Sequence, residues 1–304
     1  RIGFALSKQG GVLSMATDDG LKFPKSGLML IGMGPGRISS MTIEAKQAAI
    51  AADYRRYEAY TALWPSNELK TLEDEIGQIE MVMRPEVENP TELLELSKNN
   101  LVALLIVGDP LQATTHVDLQ LQALEAGIDC IVFHGISITT LVTGSIGLSN
   151  YKFGRQTTIT YPYGGWIATS PLEVIAMNMF YNQHTLALLD LDPTGAGTGE
   201  QVPMQPKDAY YSLKLMKDKL KSTIDEIVED SITDEVKKAA LNQFINLEFG
   251  EIRVVLCADM GTKDEKITYT TISNLENVVG GRLNSLIFPG ITSEVEEKAL
   301  LRWR

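Results

Sequence analysis

One apolar segment, followed by a tight turn, constrains the fold of this chain more than any other feature. Every residue of 101–106 is apolar, which is typical of a strand buried on both faces of a parallel sheet. The turn Gly108-Asp109-Pro110 lies just beyond it. Because ligands of open α/β sheets bind past the carboxyl ends of the strands, this turn is predicted to contact a ligand. The same tripeptide also ends strands that bind nothing, so the turn alone leaves both interpretations open.

The first half of the chain alternates between predicted strands and predicted helices. The strands are 27–31, 101–106 and 128–133, and the helices are 42–52, 91–97 and 116–126. This order predicts a parallel sheet with right-handed crossovers. The loop Gly32-Met33-Gly34-Pro35-Gly36 resembles a phosphate-binding loop but lacks the third glycine of G-x-G-x-x-G, so a nicotinamide or flavin cofactor is only weakly indicated.

A second α/β unit is predicted after His134-Gly135. Residues 136–147 are rich in small and hydroxyl side chains, which fits a linker or a tightly packed helix at a domain junction. The predicted strands of this unit are 156–161, 184–190, 253–258, 267–271 and 284–288, and the predicted helices are 171–181, 207–221 and 234–247. Ser170 with Glu173 predicts a capping box, and Ser293 with Glu296 predicts the cap of a terminal helix.

The remaining segments complete the expected domain organisation. Residues 192–206 carry glycine, threonine and proline and are predicted to form a mobile surface loop. Residues 1–26 lack sustained periodicity and the pattern of a secretory signal, so we expect a leader outside the fold. The domains are therefore predicted at 27–135 and 136–304.

Composition and charge narrow the function. The net charge of −12 disfavours a non-specific nucleic-acid or anionic-membrane binder, because such partners are repelled. Cys130 and Cys257 lie in apolar runs and are expected to be buried free thiols. The 3 histidines are not clustered, so no metal site is predicted. No apolar run approaches the length of about 20 residues that crosses a bilayer, and we predict a cytoplasmic protein.

Several short motifs together point to one family. Three of them are Gly32-Met33-Gly34-Pro35-Gly36, Thr42-Ile43-Glu44-Ala45 and Gly108-Asp109-Pro110, which resemble the tetrapyrrole methylase superfamily of S-adenosylmethionine-dependent methyltransferases. Further runs are similar to the diphthine synthases within it: Glu58-Ala59-Tyr60-Thr61, Leu111 with Ala113-Thr114-Thr115-His116, Tyr151-Lys152-Phe153-Gly154, and Trp166 with Thr169-Ser170 and His184-Thr185-Leu186. The similarity extends over about residues 28–288.

The resemblance implies a fold, a donor and an acceptor. The fold is a pair of α/β domains of the tetrapyrrole methylase type, usually a homodimer, with S-adenosylmethionine bound in the cleft between the domains. Diphthine synthases methylate the amino group of a 3-amino-3-carboxypropyl chain on a histidine of elongation factor 2. The positions that match donor contacts of the family are Pro35, Asp109, Gln112, Ser137, Ile138, Leu189, Met260 and Asn284.

This chain also departs from the family pattern at two positions. Arg37 lies in the first loop, where acidic residues are usual, and Asn284 stands where a histidine contact is expected. Both departures concern the edge of the site that faces the substrate.

Methyl transfer from S-adenosylmethionine does not require a nucleophilic side chain of the protein. The donor is already activated, so most of the acceleration can come from alignment, and no catalytic residue is assigned. Asp109 is the nearest candidate proton acceptor, but we favour it as a donor contact that holds the amino group of S-adenosylmethionine. Structural roles are expected for His116, His134 and His184.

Other interpretations stay open from sequence alone. Tyr163 and Trp166 fit either a surface for the protein substrate or core packing. A sister methyltransferase of the same fold could act on a tetrapyrrole or on ribosomal RNA, although an acidic chain is poorly suited to RNA. A protein that binds S-adenosylmethionine without catalysis is the second alternative.

Overall fold

The computed structural model of this protein describes residues 22–196 and 201–304. The first 21 residues of the predicted leader, and residues 197–200 of the predicted loop, lie outside the described residues. Strands of a first sheet are β1 (Gly27–Gly32), β2 (Tyr54–Glu58), β3 (Glu80–Val82), β4 (Leu101–Ile106) and β5 (Cys130–Phe133). Strands of a second sheet are β6 (Thr157–Ile159), β7 (Thr185–Leu189), β8 (Arg253–Ala258), β9 (Lys266–Thr271) and β10 (Asn284–Phe288).

The α-helices cover both sheets. The helices that accompany the first sheet are α1 (Ile43–Ala51), α2 (Ser66–Ile76), α3 (Arg84–Glu88), α4 (Thr91–Ser97) and α5 (His116–Glu125). The helices that accompany the second sheet are α6 (Ile138–Ser145), α7 (Ser170–Phe180), α8 (Pro206–Thr223), α9 (Ile232–Ile245) and α10 (Glu294–Leu300). We call β1–β5 with α1–α5 the N-terminal lobe and β6–β10 with α6–α10 the C-terminal lobe. The predicted α/β fold class is confirmed.

The first sheet has the order β3-β2-β4-β1-β5, and all its pairings are parallel, as predicted. The central strand β4 explains the apolar run that dominates the sequence. Its alternate residues enter two cores on opposite faces, with Leu101, Ala103 and Leu105 in one and Val102, Leu104 and Ile106 in the other. A strand covered on both faces has no position for a polar side chain, so its apolar residues form a continuous run instead of alternating with polar ones.

The strand β2 was not predicted from the sequence, because it is largely polar. The guanidinium of Arg55 donates to three carbonyls at the end of α1 at 2.6–2.8 Å, and Arg56 forms an ion pair with Glu80 on the neighbouring strand. These side chains therefore find partners outside the hydrophobic core. A buried strand position with such a partner leaves no apolar signature.

The second sheet has the order β6-β7-β10-β8-β9 and is mixed. Only β6 and β7 pair in parallel, whereas β7, β10, β8 and β9 pair antiparallel. The predicted strand 156–161 is shortened to β6, and residues 136–147 contain α6 rather than a linker. Described residues 192–196 and 201–205 contain neither helix nor strand, but Pro206 already begins α8.

The two predicted helix caps have different outcomes. Ser293 and Glu296 form the predicted capping box of α10. The capping box predicted at Ser170 is wrong, since Ser170 is the first helical residue of α7 and Thr169 is the N-cap. The Thr169 hydroxyl donates to the Glu173 carboxylate at 2.7 Å, so Glu173 has Thr169 as its partner instead of the predicted Ser170.

The described residues contain neither a candidate membrane-spanning helix nor a candidate metal-binding cluster. No described helix is long and apolar enough to span a membrane. No group of three or more acidic, histidine or cysteine side chains among the described residues is placed to hold a metal ion. Both cysteines are free thiols, and burial raises the pKa of Cys130 to about 11 and that of Cys257 to about 12.

Candidate active site

A cleft of about 940 Å³, including its open mouth, lies between the N-terminal and C-terminal lobes. Its walls come from the segments after β1, β2 and β4, the start of α6, the ends of β7 and β8, and the start of β10. All eight residues predicted to contact a donor line it: Pro35, Asp109, Gln112, Ser137, Ile138, Leu189, Met260 and Asn284. Residues up to 249 positions apart in the chain, Pro35 and Asn284, therefore share one cavity.

Two glycine turns form the floor of the cleft. Gly34 and Gly108 exchange two main-chain hydrogen bonds, at 3.1 and 3.0 Å, so the first loop and the Gly-Asp-Pro turn are joined directly. Their φ angles of +71° and +78° are in the left-handed region that favours glycine. The Trp64 indole donates to the Gly34 carbonyl at 3.0 Å and fixes the first loop from below.

Asp109 is a buried carboxylate at the wall of the cleft, with 3% of its surface exposed. Its Oδ1 accepts the Leu111 main-chain N–H at 2.9 Å. Its Oδ2 accepts the Gly135 N–H at 3.3 Å and lies 2.8 Å from Nδ1 of His134. These three contacts hold the charge of Asp109 in place, and they join the turn after β4 to the end of β5.

The start of α6 forms the adjoining wall. Ser137 is the N-cap of α6, and its Oγ accepts the Thr139 N–H at 3.2 Å. The Thr139 hydroxyl in turn donates to Oε1 of Gln112 at 2.7 Å. The three polar side chains thus form one chain of hydrogen bonds from the helix start to the turn after β4.

The C-terminal lobe contributes a segment that is held by its own polar side chains. Asp259, with a φ of +47°, accepts the N–H groups of Arg282 and Leu283 at 3.0 and 2.9 Å. The amide of Asn284 accepts the Gly281 N–H at 2.8 Å and donates to the Met204 carbonyl at 3.1 Å. The Asn284 side chain therefore shapes the wall through main-chain partners.

Two arginines connect the lobes in opposite directions. Arg37 of the N-terminal lobe donates to the Thr262 carbonyl, and Arg282 of the C-terminal lobe donates to the Leu63 carbonyl. Leu63, Thr262 and Arg282 line the cleft. Arg282 is the only cationic side chain in the described cleft lining. The departure noted at Arg37 thus has a structural role, which is to link the first loop to the opposite lobe.

Two of the three histidines are buried away from the cleft. The ring of His116 has Nδ1 2.9 Å from the Pro110 carbonyl and Nε2 2.6 Å from Oε2 of Glu58. Burial lowers the pKa of His116, but the hydrogen bond and charge of Glu58 outweigh burial and leave that pKa above its ordinary value. His184 accepts the Gly290 N–H at 2.9 Å and donates to Glu296 at 3.1 Å. Burial holds the pKa of His184 below its ordinary value.

His134 differs from both, because 69% of its side chain is exposed. The sequence analysis expected a structural histidine and missed its contact with Asp109. A signal was present, since His134 follows the predicted strand 128–133 as Asp109 follows 101–106. The carboxyl ends of strands in one parallel sheet lie at the same edge, which brings such residues together.

Tyr163 and Trp166 stand on a tight turn outside the cleft lining. Gly164 and Gly165 have φ angles of +53° and +85°, and the two aromatic rings stack with centroids 6.5 Å apart. The Tyr163 hydroxyl donates to Asp190. Core packing is wrong for Trp166, which is 58% exposed.

Comparisons with known proteins assign the chain to a family. The family model of tetrapyrrole (corrin/porphyrin) methylases matches residues 27–276. A diphthine synthase of Methanococcus aeolicus is 30% identical over 276 residues, which cover 90% of this chain and 96% of that protein. This chain belongs to the diphthine synthase family.

Two further members of the diphthine synthase family agree with this assignment. The enzyme of Methanospirillum hungatei is 34% identical over 166 residues, covering 54% of this chain and 66% of that protein, which is just under two thirds of its length. A crystal structure of a diphthine synthase matches with a TM-score of 0.73 and 25% identity, covering 91% of this chain and 95% of that one. Both matches therefore extend the assignment to the diphthine synthase family from a second relative to a solved fold.

Proposed function

We propose that this chain methylates the amino group of the 3-amino-3-carboxypropyl chain on a histidine of elongation factor 2, with S-adenosylmethionine as donor. The observation that carries the proposal is the gathering of all eight expected donor contacts in one cleft between the lobes. The domains at 27–135 and 136–304, a homodimer and a cytoplasmic location are parts of the same proposal.

The chemistry of the cleft fits the donor. Asp109 supplies a fixed negative charge for the ammonium group through a charge-assisted hydrogen bond. The apolar side chains of Pro35, Ile138, Leu189 and Met260 line the same space and suit the nucleoside. A buried carboxylate beside this apolar surface matches a ligand that is cationic at one end.

The mechanism rests on alignment. When bound, the donor supplies a sulfonium methyl that a neutral amine can attack directly, with the sulfur as leaving group and without an enzyme nucleophile. The cleft walls hold donor and acceptor in line, for which effective molarities of about 10⁵–10⁸ M are available. The acceptor amine must be neutral to attack, so a proton has to leave it before the new carbon–nitrogen bond forms.

The donor assignment can be tested with Asp109→Asn. We expect the Kd for S-adenosylmethionine in calorimetry to rise about 10–100-fold, the equivalent of one charged hydrogen bond. Asp118→Asn is the matched control, because Asp118 lies on the exposed side of α5, outside the cleft lining, and its carboxylate accepts a hydrogen bond from Gln122. Equal Kd values for the two variants would contradict the role of Asp109.

The acceptor can be tested with labelled methyl transfer. Elongation factor 2 bearing the unmethylated intermediate, a tetrapyrrole and ribosomal RNA are compared as acceptors. Transfer to elongation factor 2 is expected. Transfer only to one of the other two would favour the sister methyltransferase, and donor binding with no transfer at all would favour the non-catalytic alternative.

A further inference from the structure

The proposed reaction needs a group that removes a proton from the acceptor amine, and this inference rests on that proposed function. We propose that His134 is this proton acceptor and that Asp109 holds its ring in the working orientation. Asp109 then contacts S-adenosylmethionine with one part of its carboxylate and orients the His134 ring with Oδ2.

The hydrogen bond between the two side chains fixes the proton on the His134 ring. Nδ1 lies 2.8 Å from Oδ2 of Asp109, whose carboxylate accepts hydrogen bonds from Leu111 and Gly135 as well. A carboxylate that already accepts two N–H groups acts as an acceptor toward Nδ1 too. The neutral ring therefore carries its hydrogen on Nδ1 and presents the lone pair on Nε2.

Only one of the three histidines has a ring nitrogen available for this task. His116 and His184 are buried, and both nitrogens of each ring face a carbonyl, a carboxylate or a main-chain N–H. In the described part of the chain, Nε2 of His134 has no partner, and the ring is 69% exposed. The chain thus offers one imidazole that is both oriented and free to accept a proton.

His134 does not itself line the cleft but is joined to the lining through Asp109, and most of its side chain is exposed to solvent. It follows β5 directly, and its partner Asp109 lines the cleft together with Ser137 and Ile138 a few residues further along. Among described residues, Asp109 is the only charged side chain in hydrogen-bond contact with the ring.

The proton and electron pairs balance in this scheme. The acceptor ammonium gives one proton to Nε2, and the amine lone pair freed by that step attacks the donor methyl. The new carbon–nitrogen bond forms as the carbon–sulfur bond breaks, and the sulfur keeps that electron pair in S-adenosylhomocysteine. The imidazolium then releases its proton to water through the exposed edge of the ring, which restores the base for the next acceptor.

His134→Asn separates a base from a mere anchor for Asp109. The asparagine amide can still donate to Asp109 from near the position of Nδ1, but it has no basic nitrogen. We expect the Kd for S-adenosylmethionine to stay within about threefold of wild type. We expect kcat with elongation factor 2 bearing the unmethylated intermediate to fall about 10²–10⁴-fold at pH 7, the usual contribution of general base catalysis.

The pH profile gives a readout that an anchoring role would not move. The kcat of the variant should rise about tenfold per pH unit toward pH 9, because the amine then loses its proton to water, while wild type levels off earlier. Exogenous imidazole should partly restore turnover by His134→Ala. Thermal unfolding is compared to show that both variants fold, as expected for an exposed side chain.

Two kinds of result would contradict the role of His134, and a third would contradict the proposed function. A kcat for His134→Asn within threefold of wild type, or a higher donor Kd with unchanged kcat at saturating donor, would overturn the role of His134. Absence of transfer by wild type in the same assay would instead overturn the proposed function, so the two failures are distinguishable.

Discussion

Glu58 and His116 form a buried ion pair, with 2.6 Å between Oε2 and Nε2, that joins the end of β2 to the start of α5. The other ring nitrogen faces the Pro110 carbonyl, which can only accept a hydrogen bond, so both ring nitrogens carry hydrogens when the Glu58 carboxylate is ionised. The pair lies directly against the Gly-Asp-Pro turn. It therefore supports the floor of the cleft without entering it.

His116→Gln should destabilise the protein in a pH-dependent way. The folded-state pKa of His116 is raised, so the pair contributes fully below the unfolded pKa of about 6.5 and is lost as pH rises through the folded pKa. We expect the variant to lose about 3–5 kcal/mol of unfolding free energy near pH 6, as for other broken buried pairs. Urea unfolding at about pH 6 and pH 9 measures this, and a difference that does not shrink at the higher pH would contradict the charged pair.

Glu296→Gln should show the opposite pH dependence. Glu296 accepts hydrogen bonds from the N–H groups of Ser149 and Ser293, from His184 and from Lys152, at 2.7–3.1 Å. Burial raises the pKa of Glu296, but these bonds outweigh burial and hold that pKa well below its ordinary value. Glutamine can accept on only one of its two terminal atoms, so we expect a loss of about 1.5–3 kcal/mol at neutral pH.

The sign follows from the lowered pKa of Glu296. Its contribution is present above the unfolded pKa of about 4.3 and is lost as pH falls through the folded value, so the difference between variant and wild type should narrow in acid. Glu294→Gln is the control, because Glu294 pairs with Lys298 on the exposed face of α10 and should change stability by less than about 1 kcal/mol. Equal losses for the two variants at neutral pH would argue against the network around Glu296.

Gly135→Ala should damage both stability and donor binding. A Cβ at Gly135 would lie 2.2 Å from the Gly108 carbonyl oxygen and 2.9 Å from the Gly32 carbonyl carbon. Both are main-chain atoms, so the backbone would have to shift to remove the clash. We expect a loss of about 1–3 kcal/mol, as for other overpacked sites, and a weaker Kd for S-adenosylmethionine because the turn that carries Asp109 must shift.

Gly144→Ala is the matched control for Gly135→Ala. A Cβ at Gly144 meets nothing within 4 Å, and the residue lies inside α6, where alanine should stabilise by about 0.5–1 kcal/mol. Donor affinity should not change. An unaltered Kd for S-adenosylmethionine in Gly135→Ala, measured beside this control, would show that the close contact of Gly135 with the main chain of Gly108 and Gly32 does not govern the donor site.

The limits of several buried strands could be predicted closely from the sequence, whereas the direction of pairing in the second sheet could not. The limits of β4, β8 and β10 match the predicted 101–106, 253–258 and 284–288. The strand β8 is almost entirely buried and reads like a strand of a parallel sheet, yet both its neighbours run antiparallel. Burial on two faces removes the alternation that would reveal the direction of pairing.

The site was predicted in part, and the reason lies in how it is assembled. The eight proposed donor contacts came from a resemblance to relatives, and they share one cleft. Asp259 and Arg282 were missed because neither stands in a motif, and their roles exist only through main-chain partners across a turn or a lobe boundary. Contacts of this kind leave no spacing in the sequence to detect.

The two reciprocal arginine bonds place unequal demands on the sequence of the two lobes. Arg37 and Arg282 each bind a main-chain carbonyl of the opposite lobe, and every residue type supplies that oxygen, so substitution at Thr262 or Leu63 leaves the acceptor in place. The sequence requirement of this connection therefore falls on the two arginine positions, one in each lobe, and their partners across the cleft are free to vary.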